Sequence, residues 1–292
     1  MEKHLLLTVS DDTSSHSAVQ FTGQFFSHKG IVKVTLMYIA PNPDDGLGTR
    51  GMELAGEKRD EAARQSAQYQ KKGRAALEKG WEKLLAAGIP PGNISTSFRF
   101  RSFNTTGKDI AQEAEKGLYD AVLLGRRGIS RLEEMLSDSI SKQILDETLS
   151  VPIWINREIA VGRFGVLLCV DGSTPSLRMA DHVGFMLAAE SHPITLCHIQ
   201  TKNGPDPAKV FRGAEAQLTE NGVAPSRIQD LLLSGSDPVT TIVQETSAKG
   251  YAVVAVGSSG QASRGLMGRF FMGSVSRGLV GRLTGASLWV CK

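Results

Sequence analysis

No stretch of this chain is apolar for long enough to cross a bilayer. The first apolar run, Leu5 to Val9 in "MEKHLLLTVSDD", is too short for a signal-peptide core and acidic residues follow it at once. A cytoplasmic address is therefore expected. Charge of one sign is also lacking. The 33 Lys and Arg residues stand against 30 Asp and Glu, a net charge of only +3, so the concentrated basic patch that meets nucleic-acid phosphates is not foreseen. Cysteine is scarce, with three residues, Cys169, Cys197 and Cys291, each inside an apolar run that reads as a strand. No C-x-x-C or zinc spacing exists among them. Cys197 and His198 are neighbours, but successive strand residues point to opposite faces, which makes them a poor ligand pair. All three read as buried thiols.

Two chemical signatures are missing as well. A P-loop is absent: Gly107-Lys108 is followed by Asp109, and Ser102 stands where its first glycine belongs. No Ser/His/Asp or Cys/His constellation can be assembled. His182, His192 and His198 are scattered and read as structural or solvent-exposed, and no base is placed to activate a water.

What the sequence does contain is a repeat. At 292 residues, 41% of them hydrophobic, it can bury a core in each of two domains. "KGLYDAVLLGRRG" (116–128) parallels "KGYAVVAVGSSG" (249–260), "VPIWI" (151–155) parallels "ASLWV" (286–290), and "HLLLTVSDDTSS" parallels "FGVLLCVDGSTPS". The chain thus reads as two copies of one unit, 1–156 and 162–292, joined near "NREIAVG". Strands are expected at 5–9, 32–39, 94–99, 121–124 and 152–155, and again at 165–170, 194–199, 229–233, 252–256 and 287–290. Several are nearly continuous apolar runs, as in strands covered on both faces. Between strands two and three of the first copy, Leu77, Trp81, Leu84 and Leu85 share a helical face, and its charges form the solvated opposite face. "PPGN" ends that helix. Strands alternating with helices imply an α/β fold with a mostly parallel sheet, which takes ligands where strand order reverses at the strands' carboxyl ends.

Two glycine patterns are candidates for phosphate. Gly46, Gly48 and Gly51 form a literal G-x-G-x-x-G, but it follows "APNPDD", away from a strand end, and reads as a flexible loop. Gly257 and Gly260 directly follow a strand, where the lack of a Cβ lets backbone N–H groups approach an anion. Gly273-Ser274 then opens a helix whose free amides at Val275 and Ser276 favour negative charge. Ser258, Ser259, Ser274 and Ser276 add hydroxyls, and Arg264 and Arg269 lie between the two glycine pairs. Glycine and serine are equally the residues of a plain turn and a helix cap, and spacing alone leaves both readings open.

These residues, so placed in a duplicated α/β unit, resemble the universal stress protein family over nearly the whole chain, as a tandem two-domain member. The resemblance implies two five-stranded parallel-sheet domains with helices on both faces, of the adenine nucleotide alpha hydrolase-like, Rossmann-like type. In that family ATP-binding members carry G-x2-G-x9-G-[ST] after strand four and an Asp ending strand one. Carried over, Asp171 and Ile199 would lie near adenine and ribose, and Gly257, Ser259, Gly260, Gly273, Ser274, Val275 and Ser276 would surround ribose and phosphates. Twelve residues instead of nine separate Gly260 from Gly273. Either a bulge leaves the site intact, or the longer connection displaces one glycine pair from the other. In the first copy the spacing of nine after Gly128 is kept, but the pair is Asp138-Ser139, and Ser10 replaces the Asp, with Asp11 and Asp12 following. Arg126 and Arg127 read either as offsetting part of that charge or as simply solvated, and the first site is expected to be weak or empty. By the same resemblance, the last strands of the two copies pair within the chain and bury Trp154 and Trp289 near the seam, and a homodimer is a further expectation.

The function this implies is a cytoplasmic stress-response protein that binds ATP, with Mg2+ as its companion ion, through its second half and acts by conformational signalling. The competing expectation is an interaction protein without nucleotide that works by dimerising. Slow ATP hydrolysis, known in the family, is left open by the sequence.

Overall fold

The computed structural model describes residues 1–11, 16–43, 55–102, 106–125, 151–156, 160–201, 204–258 and 273–292. Asp12, the glycines at 46, 48 and 51, Arg126, Arg127, Gly128, Asp138, Ser139, Ser259, Gly260, Arg264 and Arg269 lie outside the described residues.

The first half contains β1 (Lys3–Val9), α1 (His16–Phe25), β2 (Val32–Ala40), α2 (Ala55–Ala86), β3 (Ile94–Phe100), α3 (Thr106–Lys116), β4 (Ala121–Leu124) and β5 (Ile153–Ile155). The second contains β6 (Val166–Cys169), α4 (Thr174–Leu187), β7 (Ile194–Gln200), α5 (Pro207–Glu220), β8 (Ile228–Ser234), α6 (Pro238–Lys249), β9 (Val253–Gly257), α7 (Ser274–Arg282) and β10 (Ser287–Cys291). All ten expected strands form, with ends that differ by no more than two residues. The fold is the expected α/β, Rossmann-like architecture. The strands make one ten-stranded sheet in the order β3-β2-β1-β4-β5-β10-β9-β6-β7-β8. Every neighbouring pair is parallel except β5 and β10, which run antiparallel.

Apolar residues on both faces of the sheet give it two cores. One lies under α1, α2, α4 and α5, the other under α3, α6 and α7, and each runs through both halves. This doubly covered sheet explains the unbroken apolar runs. Of the four residues expected to line α2, Leu77 and Leu84 are buried and Trp81 is half-buried, but Leu85 is 39% exposed. At 100° per residue Leu85 stands a full step round from Leu84 and points past the sheet.

At the seam Trp154 and Trp289 are register partners, and their rings stack at 3.8 Å and 3°. Phe21 and Phe25 of α1 meet Trp289 edge-on. Trp154 Nε1 donates to His182 Nε2 of α4 at 3.0 Å, and Trp289 Nε1 donates to Ser287 Oγ at 3.1 Å. Burial pushes the His182 imidazole down to about 3, so it is neutral and free to accept. Where α1 and α4 end, the halves also meet through polar groups. The buried Glu190 carboxylate, after α4, accepts the backbone N–H of Ser27 (2.8 Å) and of His28 (3.3 Å) after α1. His192 donates through Nε2 to Phe25 O at 2.8 Å and stacks on the Phe25 ring.

Candidate functional site

In the second half the order β9-β6-β7 marks the point where the chain reverses direction across the sheet, and the candidate residues gather at the carboxyl ends of those strands. β9 ends at Gly257. A Cβ there would lie 2.4 Å from Pro175 C and from Ser176 N, in the first turn of α4, so only glycine lets the strand end approach this helix. The next residue, Ser258, is buried; its N–H donates to Cys291 O of β10 at 2.6 Å, and its Oγ accepts the Gly273 N–H at 3.1 Å. That second bond joins the end of β9 to the start of α7. The corner that follows β9 and the corner that opens α7 are therefore held together despite the long connection between them.

Gly273 is the N-cap of α7 in extended conformation, and no side chain caps it. The amides at the start of a helix have no partner within it, and the helix dipole adds positive potential there. Serines flank this end in different ways. Ser274 is exposed, whereas Ser276 is buried and its hydroxyl donates to Gly273 O at 3.1 Å. Val275 packs half-buried against the core. Of the hydroxyls expected in the first turn, that of Ser274 faces solvent, whereas that of Ser276 is bonded within the turn.

Asp171 follows β6. Its Oδ1 accepts the Ser173 N–H at 2.9 Å and the Ser173 Oγ–H at 2.5 Å, and the carboxylate is exposed. Gly172, at φ +77°, supplies the left-handed turn into α4. Ser173 caps that helix by accepting the Ser176 N–H at 3.4 Å. Ile199, two residues beyond Cys197 on β7, is half-buried with its side chain on the α6 side of the sheet. Its neighbour His198 points the other way, edge-on to Phe211, and donates through Nδ1 to Val170 O at 2.8 Å. His198 thus pins β7 to the end of β6 and has a structural role, as do the buried His182 and His192. The described candidates Asp171, Ile199, Gly257, Gly273, Ser274, Val275 and Ser276 all lie at this one edge.

Sequence reasoning missed Arg178. One turn into α4, its Nη1 donates to Lys292 O at 3.3 Å, which places an exposed guanidinium at the carboxyl end of β10. No local sequence signal marks it, because its placement depends on where β10 ends relative to α4. Two further N-caps, Asp206 and Asp237, were also unread, though each directly precedes a proline that opens a helix. In the first half, Ser10 is buried where Asp171 stands in the second, and the exposed Asp11 follows. Among the described residues no group of three or more His, Cys, Asp or Glu is placed to hold a metal ion, and no helix is long and apolar enough to cross a membrane.

The fold defines a tandem, doubly wound α/β protein. The universal stress protein family model matches residues 1–155 and 165–290, and the chain belongs to that family, whose members are associated with stress. Among solved structures, a universal stress protein from Archaeoglobus fulgidus is 20% identical with a TM-score of 0.66, over 99% of this chain and 98% of that one. A putative universal stress protein from Pseudomonas aeruginosa is 13% identical with a TM-score of 0.53, over 100% of this chain and 93% of that one. A universal stress protein in complex with cAMP is 22% identical with a TM-score of 0.37, over 45% of this chain and 98% of that one. Curated protein sequences yield no match.

Proposed function

We propose that this universal stress protein binds an adenine nucleotide, ATP with Mg2+, at the carboxyl edge of β6, β7 and β9, and signals stress through the conformation it then adopts. The reading rests above all on one observation: the uncapped N-terminus of α7 is tied to the end of β9 by the bond from Gly273 N–H to Ser258 Oγ. That arrangement offers bare amides and positive potential where a polyphosphate would sit, and each helix-end contact with an anion is worth about 0.3–1 kcal/mol, rising to about 2 where partly buried. Gly257, Ser259, Gly260 and Gly273 to Ser276 would hold the phosphates. Asp171, whose carboxylate is exposed, would accept from ribose hydroxyls, and Ile199 offers an apolar surface to the base. Arg178 stands close enough in the fold to add a cation.

The competing reading, a dimerising protein without nucleotide, draws less support. The edges of β5 and β10 pair with each other inside the chain, leaving β3 and β8 as the sheet's outer strands.

Calorimetric titration with ATP and Mg2+, beside AMP and cAMP, tests the proposal. Saturable binding of one ATP is expected, weakened at least tenfold by Gly273→Asp, which sets a carboxylate against the phosphates. ATP at about a hundred times its dissociation constant stabilises the fold by about 2.7 kcal/mol, a rise in melting temperature on the order of 5 °C. The absence of both binding heat and a thermal shift at millimolar ATP would refute the proposal.

A further inference from the structure

Directly beneath this edge lies a pair of cysteines that the sequence keeps 28 positions apart and the sheet brings side by side. Cys169, the last residue of β6, and Cys197 of β7 are register partners on adjacent parallel strands. Register partners project from the same face, and both side chains meet the core under α6 and α7. Cys197 is 1% exposed, whereas Cys169 is half-buried and within reach from the carboxyl edge. Neighbouring strands lie about 4.8 Å apart, near the short end of the roughly 4.4–6.8 Å that a disulfide spans between Cα atoms.

We propose that Cys169 and Cys197 form a reversible oxidation site, which a hydroperoxide closes to a disulfide across β6 and β7. In the first step Cys169 sulfur attacks a peroxide oxygen, breaking the O–O bond and giving a sulfenic acid and water. Cys197 sulfur then attacks Cys169 sulfur, the S–S bond forms, and a second water leaves with the Cys197 proton. Two thiols and one hydrogen peroxide yield one disulfide and two waters, with two electrons passing from sulfur to oxygen.

The surroundings favour that product. The hydrogen bond that the Cys169 S–H donates to Cys197, burial and the nearby Asp171 carboxylate all push the Cys169 thiol well above its usual range, so an isolated thiolate is penalised while an uncharged disulfide is not. They also make the first step slow, because the thiolate is the attacking form. An external thiolate that attacks the disulfide returns both cysteines to thiols, which makes the site reversible. Asp171 and Ile199 lie two residues beyond Cys169 and Cys197, so closure acts on the floor of the proposed nucleotide site. That consequence rests on the nucleotide reading, but the thiol chemistry is measured with no nucleotide present, so either can fail without the other.

The test treats the folded full-length protein with excess hydrogen peroxide for hours, alkylates the remaining thiols and maps peptides by mass. Expected are loss of two hydrogens, a Cys169–Cys197 cross-linked peptide, a Cys291 that still alkylates, and full reversal by dithiothreitol. Cys169→Ser and Cys197→Ser should each abolish the cross-link while leaving the circular dichroism spectrum unchanged. The proposal is overturned if both thiols still alkylate after treatment, or if the only disulfides found join Cys291 of two chains.

Discussion

His182 has no role in the reading of the ligand edge, yet it is the side chain whose ionisation the fold controls most clearly. Burial holds it neutral to about pH 3 so that Nε2 can accept from Trp154. In the unfolded chain it protonates near its ordinary value of 6.5. Between those values the unfolded state binds more protons, so acidification from about 6.5 downward removes stability, by about 1.4 kcal/mol per pH unit from this group. His182→Phe deletes that dependence but strands a buried indole N–H, at roughly 1–3 kcal/mol. The variant should be the less stable protein at neutral pH and should match or overtake wild type by about pH 4.5, as read from urea unfolding. A stability difference that stays constant over that range would show that His182 does not titrate as argued. Residue-level chemistry was also the hardest to read in the sequence. Gly257 and Gly273 stood out by type and spacing and Asp171 by the family resemblance, but that Ser258 bridges two corners, or that Cys169 faces Cys197, depends on register, which a single sequence does not display.

Elements were far more legible, and for a physical reason. A strand buried on both faces must be apolar at nearly every position, so β1, β4, β6 and β9 stand out as runs with no periodicity to decode. The caps of α5 and α6 stood in the sequence as Asp-Pro pairs but went unread. Less visible was how elements lock together where α1 and α4 end. Glu190 ends the α4 segment with a carboxylate whose side chain is 0% exposed. Burial alone would raise its pKa, but the hydrogen bonds from Ser27 and His28 and the charge of His28 outweigh burial and hold it below the usual carboxylate range. Glu190→Gln keeps the shape but turns an amide N–H2 or a weaker oxygen toward two backbone donors from the other half. A loss of roughly 1.5–3 kcal/mol, the scale of a hydrogen bond to a charged group, should appear in chemical denaturation at neutral pH. A loss below about 0.5 kcal/mol would mean that the two segments are held by Phe25 stacking on His192 instead.

For the molecule as a whole, duplication sets a choice between two independent domains and one. Each copy carries strands, helices and a switch point of its own, which favours independence. Three features of the seam favour unity. β5 and β10 turn two sheets into one, the stacked Trp154 and Trp289 sit beneath helices of both halves, and both hydrophobic cores continue across the join. Separating the halves would expose two strand edges and a pair of indoles, each edge a template for pairing with another chain. Burial of large aromatic side chains is worth about 1.5–3 kcal/mol apiece, so a state with one half folded forfeits several kcal/mol at the seam alone. Against a net stability of about 5–15 kcal/mol, that is enough to suppress such a state. Urea unfolding should accordingly be a single transition, with tryptophan fluorescence and far-ultraviolet circular dichroism coincident in midpoint and slope. Trp154→Ala, which empties half of the stack, should split or broaden that transition where a core substitution remote from the seam, such as Leu84→Ala, only shifts it. Coincident curves in the Trp154→Ala protein would place the coupling in the Glu190 contacts between the ends of α1 and α4 and not in the shared sheet.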